Sequence, residues 1–176
     1  MKTIFVLLIL LLPGFSFAQT ANDVWKPFRG FIGEWTGTGE GEPGKGNYTR
    51  SYKFVLGEKF IEVKNKAEYP KQEKNPKGEV HEDIGYISYD KLRKTFVLRQ
   101  FHVEGFVNQF TIESISPDGT SIVFISEAIE NIPAGWRAKE TYSLIGNGEI
   151  TEVFKLAAPN GEFKTYSTVR LKRVKK

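Results

Sequence analysis

The chain has 176 residues, of which 40% are hydrophobic, 14% aromatic and 26% charged, with a formal net charge of +4. That is one domain's worth of sequence, long enough to bury a substantial core. It contains no cysteine, which excludes thiol catalysis, zinc–thiolate sites, iron–sulfur clusters and disulfide support, so stability must come from packing.

Residues Met1 to Ala18 read as an export signal and not as part of the fold. Lys2 supplies a positive start, Ile4 to Leu12 form an apolar run broken by Pro13 and Gly14, and Ser16 and Ala18 place small residues before a cut after Ala18. The apolar run is too short to cross a bilayer core of about 30 Å. The expected organisation is therefore a signal peptide over 1–18 and a single domain over 19–176, secreted or periplasmic, with no transmembrane segment after cleavage.

Val24 to Ile32 is aromatic at irregular spacing and is interrupted by Pro27 and Gly30, which rules out a long helix. A short helical turn that lays Trp25, Phe28 and Phe31 against one end of the fold is expected. Next comes Gly33-Glu34-Trp35-Thr36-Gly37-Thr38-Gly39, where the glycines predict a strand that curves sharply and passes close to a neighbour. No helix follows to make it a phosphate loop.

Turn signals then recur along the rest of the chain, among them Pro43-Gly44, Asn75-Pro76-Lys77-Gly78, Pro117-Asp118-Gly119 and Pro159-Asn160-Gly161. Between them the period is two. In Tyr48 to Leu56 the even positions Tyr48, Arg50, Tyr52 and Phe54 oppose Thr49, Ser51 and Lys53. The same alternation places Ile61, Val63, Asn65 and Ala67 on one face, then Asn108, Phe110 and Ile112, then Trp136, Ala138, Glu140 and Tyr142. Strands 80–89, 95–103 and 121–127 do not reveal their inner face. Glu68 to Glu79 is too charged to pack and predicts a mobile flap at a barrel mouth.

Each clear strand shows one face to water, the pattern of an antiparallel sheet with a shielded inner face. About ten such strands joined by hairpins predict an all-β, up-and-down antiparallel barrel, whose closure removes edges that an open sheet would have to protect. A two-sheet sandwich is the alternative. The basic tail from Arg170 to Lys176 reads as a solvated strand end, and no nucleic-acid partner is expected.

A barrel of this strand number can hold a cavity. Polar residues on otherwise apolar inner faces are then the ligand candidates: Arg50, Asn65, Asn108 and Glu140, with Gln100 and His102 if the even face of their strand points inward. Tyr52, Phe110, Trp136 and Tyr142 are the aromatic candidates beside them. Arg50 and Glu140 could instead pair with each other. His81, next to Glu82 and Asp83, reads as solvated, and the two histidines with scattered carboxylates have no metal-ligand spacing. No nucleophile elbow or other catalytic arrangement stands out.

The Gly33–Gly39 run after an aromatic turn resembles the N-terminal signature of the nitrobindin-like heme-binding β-barrel family. It is also similar to a group of bacterial lipocalin-like barrels of unknown function. Ile84 to Asp90, Gly135-Trp136-Arg137 and Thr151 to Phe154 fit the second group better. The resemblance implies a ten-stranded barrel closed at one end, with Trp35 packed as a structural plug under Arg173 or Arg170 of the last strand. It also implies ferric heme held by a histidine in the C-terminal part of the chain. No histidine follows His102 here. Tyr166 stands in that region instead, with the parity of Lys164 and Lys172, which predicts an outward side chain.

Three functional expectations follow. The first is an exported barrel that binds a small, partly apolar molecule in its lumen without catalysis. The second is a heme protein acting on nitric oxide or peroxynitrite through His102 or Tyr166. The third is a surface interaction protein whose core is filled. The cofactor, the ligand's identity and the oligomeric state are not readable from the sequence.

Overall fold

The structure is a computed structural model that describes residues 23–175. The expected signal peptide over 1–18 lies outside the described residues. Ten strands follow a short 3-10 turn, η1 (Lys26–Phe31): β1 (Gly33–Gly41), β2 (Gly44–Val55), β3 (Phe60–Tyr69), β4 (Glu79–Asp90), β5 (Thr95–His102), β6 (Val107–Ile115), β7 (Ser121–Glu130), β8 (Arg137–Ile145), β9 (Glu149–Ala157) and β10 (Lys164–Arg173). Each pairs antiparallel with its sequence neighbour, and β1 closes onto β10, so the sheet is a complete barrel and not a sandwich.

The seam between β1 and β10 depends on glycine. Gly33, Trp35, Gly37, Gly39 and Gly41 share one parity, so the face of β1 that carries Trp35 has no other side chain. A Cβ at Gly37 would lie 2.0 Å from the Arg170 carbonyl oxygen, and one at Gly41 would lie 2.1 Å from that of Tyr166. The bare face is what lets β10 come this close.

One end of the barrel is sealed by η1. Phe28 and Phe31 are buried; Phe28 packs edge-on against Phe96 with ring centres 4.7 Å apart, and Trp25 lies against Phe28, Phe54 and Phe96. Trp35 donates its indole N–H to the Phe31 carbonyl at 2.7 Å, tying the turn to the wall. Arg173, its Cα partner across the seam, places its guanidinium 4.1 Å from the indole centre. The same group donates to the carbonyls of Gly30 at 2.6 Å and Ile32 at 2.7 Å. Arg170 does not share this role: the strand's period turns it outward, where it pairs with Glu149.

Above the plug, Tyr52, Val63, Ile87, Leu98, Ile122 and Phe124 fill the closed half of the barrel with side chains. The outer wall is polar over β2 and β3, with Lys53 and Lys64 exposed. The stretch read as a mobile flap is more ordered than its charge implied. Glu68 and Tyr69 end β3 and Glu79 begins β4, while Gln72 ties the loop down by accepting from the Lys45 N–H at 2.8 Å and donating to its carbonyl at 2.9 Å. Among the described residues no helix is long and apolar enough to cross a membrane.

Three substitutions test this closure. Arg173→Ala removes a cation–π contact worth about 0.5–2 kcal/mol and three charged hydrogen bonds, to the carbonyls of Gly30, Ile32 and Asn147, and should cost about 3 kcal/mol in urea unfolding. Arg170→Ala, outside the barrel, should cost under about 0.5 kcal/mol. Gly37→Ala forces the seam apart and should cost about 1–3 kcal/mol or more.

Candidate functional site

The open half of the barrel encloses a cavity of about 410 Å³. Its mouth carries the apolar and aromatic residues Phe106, Ile129, Ile132, Trp136, Phe154 and Leu156, with Glu79, His81 and Glu104 along one edge; its depth is polar, with Arg50, Asn65, Asp83, Gln100, Asn108, Glu140 and Glu152. The strand period explains the polar set: each alternates with core residues on its own strand, so once the core faces inward these groups must as well.

Arg50 is the hub. Its guanidinium is buried and donates to Glu152 on β9, on the far side of the seam, and to the Asn65 carbonyl oxygen at 3.1 and 3.2 Å. Burial is the largest single influence and opposes its charge, but Glu152 together with Tyr52 and Tyr142 outweighs it and holds the pKa well above the usual value. The expected alternative pairing with Glu140 does not occur. Glu140 instead accepts from the Tyr142 hydroxyl, and burial, reinforced by the nearby Glu152 charge, pushes its carboxyl up from 4.5 to about 8. Glu140 is thus protonated at neutral pH.

A second group lies on β4 and β5. His81 and Asp83 stand two residues apart on the inward face of β4, and the register sets His102 opposite Asp83. His81 Nδ1 meets Glu104 Oε1 at 2.7 Å, and its Nε2 faces Asp83 Oδ2 at 3.6 Å and His102 Nδ1 at 3.4 Å. Asn65 donates to Asp83 Oδ2 at 3.0 Å, and Asn108 Nδ2 donates to His102 Nε2 at 3.1 Å. The His102 ring stacks on Phe106 with centres 4.0 Å apart. The carboxylates of Asp83 and Glu104 raise His81 to about 9, whereas burial lowers His102. Burial alone would push the Asp83 carboxyl up, but His81 and the other neighbours hold it down. Two buried acceptors, Asp83 Oδ1 and Gln100 Oε1, face no hydrogen-bond donor of the protein.

Of the residues predicted from sequence, Arg50, Asn65, Gln100, His102, Asn108, Trp136, Glu140 and Tyr142 line this cavity. Tyr52 and Phe110 do not. Tyr52 lies below it and receives an Arg50 N–H, and Phe110 is fully buried in the packed core. His81, read as solvated, faces the lumen, because β4 carries its apolar residues Val80, Ile84 and Tyr86 on the outside. Tyr166, read as outward, also lines the cavity. A bulge between Thr165 and Ser167 shifts the parity of β10, so Tyr166 points in ahead of Ser167, Val169 and Leu171. Asp83 and Glu152 were missed, although Glu152 alternates with Ile150 and Phe154, a signal that was available.

A closed ten-stranded barrel with one plugged end and a polar chamber is a lumenal binding protein in architecture. The chain matches the model of the THAP4-like, heme-binding β-barrel domain over residues 24–173, and it belongs to that family. Among solved structures it is similar to Rv2717c from M. tuberculosis, at 16% identity and TM-score 0.67, over 87% of this chain and 98% of that one. A protein of unknown function of the DUF3598 family from Nostoc punctiforme aligns over 88% of this chain and 100% of its own, at 8% identity and TM-score 0.30. No curated protein matches the chain.

The raised Glu140 pKa sets a pH signature. The unfolded carboxyl ionises near 4.5 and the folded one near 8, so the folded state holds the extra proton between those values. Stability from this group is full below pH 4.5 and is lost as pH rises through 8. Glu140→Gln should therefore gain stability relative to the parent between pH 5 and 8, by on the order of a few kcal/mol, in paired urea titrations. Parallel curves for the two proteins would contradict the assignment.

Proposed function

We propose that this protein is an exported carrier that binds a small amphipathic molecule in the barrel lumen and performs no chemistry on it. The observation that carries this reading is the cavity itself: an apolar, aromatic mouth above a polar floor where Gln100 Oε1 waits for a donor. A ligand with a hydrogen-bond donor at one end and an apolar body matches both zones. Export is supported by the signal-like segment over 1–18.

A second reading keeps the family's heme. The His81–Asp83–His102 group does not suit it. Both His102 nitrogens already meet protein partners, His81 Nε2 and Asn108 Nδ2, so neither is free to hold a heme's iron. Tyr166 suits it better, as a cavity-lining phenol with Phe154 edge-on at 5.8 Å, and would be the residue that holds the iron. Bound heme would supply a ferric centre for nitric oxide or peroxynitrite chemistry.

Native mass spectrometry of freshly purified protein tests the main reading. A co-purifying organic mass is expected, with occupancy lowered at least tenfold by Leu156→Trp, which fills the mouth. Added hemin separates the two readings. A Soret shift lost in Tyr166→Phe but kept in His102→Ala would establish heme and displace the carrier reading. An empty protein that takes up neither hemin nor an amphipathic fluorophore would defeat both.

A further inference from the structure

We propose that His81, Asp83 and His102 bind one first-row divalent transition-metal ion, best zinc, in the wall of the lumen, with an open coordination position facing the cavity. The backbone builds the site. Strand alternation puts His81 and Asp83 on one face of β4, and the register places His102 of β5 directly across from Asp83. One ligand atom from each of the three residues lies within 4.8 Å of the other two.

The spacing fits a metal. At metal–nitrogen lengths of 2.0–2.1 Å, two ligand atoms of a tetrahedral ion are about 3.4 Å apart. His81 Nε2 stands 3.4 Å from His102 Nδ1 and 3.6 Å from Asp83 Oδ2. Two imidazoles and one carboxylate are a borderline donor set that suits zinc and its neighbours and disfavours calcium and magnesium.

A second observation points the same way. Asp83 is only 5% exposed, yet its Oδ1 has no hydrogen-bond partner, while Oδ2 is held by Asn65. An unpartnered buried carboxylate oxygen is costly unless a cation or donor reaches it.

The outer partners are those a metal site needs. Glu104 can accept a hydrogen bond from the His81 Nδ1–H, which fixes the tautomer that leaves Nε2 free for the ion. Asn108, with its amide turned so that the oxygen meets His102 Nε2, frees Nδ1 in the same way. The residues come from two strands of a closed sheet, so the site is preorganised. The cavity side is left for water or for an anionic or carbonyl group of a lumenal molecule. The site stands independently of the carrier reading: zinc binding without any organic ligand would uphold it, and an organic ligand without zinc would uphold only the other.

The test uses tag-free full chain stripped with chelator and titrated with zinc chloride by calorimetry and with cobalt chloride by absorption. We expect one ion per chain and the intense visible bands of four- or five-coordinate cobalt. Asp83→Asn and His102→Ala should weaken zinc at least a hundredfold, and Glu104→Gln ten- to a hundredfold. Glu113→Gln, on the outer surface beside Lys139, should leave affinity unchanged. If the core variants fail to fold, zinc-edge absorption of the parent decides, since two imidazole ligands are required. Substoichiometric zinc, affinity unmoved by the variants, or fewer than two imidazoles at the edge would overturn the proposal.

Discussion

The contact between β1 and β10 is the constraint on which everything else rests. Ten consecutive strands joined by hairpins can form an open sheet or a tube, and the difference is whether the first and last strands meet. They meet because the inward side of β1 is nearly bare, with glycine at every position but Trp35. The carbonyls of β10 occupy the space that side chains would take. Trp35 then works as a keystone, held from below by the η1 carbonyl and from above by Arg173. Closure also creates the functional chamber, because Arg50 on β2 and Glu152 on β9 come together only when β1 and β10 bring the two ends of the sheet around.

The barrel has two halves with different physics. The plugged half is packed with aromatic and branched side chains and supplies apolar burial, the main driving force for folding. The open half holds charged and polar groups that would be unfavourable in a dry core. A buried ion pair such as Arg50–Glu152 roughly breaks even against an apolar replacement, so its presence is weak evidence for a stabilising role. Its better explanation is geometric. It fixes a polar floor beside the neutral, buried Glu140, where Asp83 and Gln100 each keep a buried oxygen with no protein partner.

Much of this was legible in the sequence wherever the outer face was polar. In β2, β3, β6 and β8, lysine, threonine and serine on one parity revealed the other parity as the lumen. β4 could not be read that way because its polarity is inverted. Val80, Ile84 and Tyr86 face out while His81, Asp83, Gly85 and Ile87 face in, so alternation did not reveal the inner face, and His81 beside Glu82 and Asp83 read as solvated. In β10 the bulge beside Tyr166 adds one residue opposite β9 and turns that phenol around, which no periodicity within the strand announces. The choice of Glu152 over Glu140 as the partner of Arg50 lies further from view, because it spans 102 positions and depends on closure. The charge-rich 68–79 segment misled for a simpler reason: one glutamine, Gln72, bonds the neighbouring backbone and anchors it.

The account is tested most directly by amide hydrogen exchange at the two strands that close the tube. If β1 and β10 pair as described, the amides of Thr38, Arg170 and Lys172, which point across the seam, should exchange as slowly as those of central strands such as β5 and β6. Fast exchange confined to β1 and β10, with the other eight strands protected, would mean an open sheet with two free edges and no enclosed chamber.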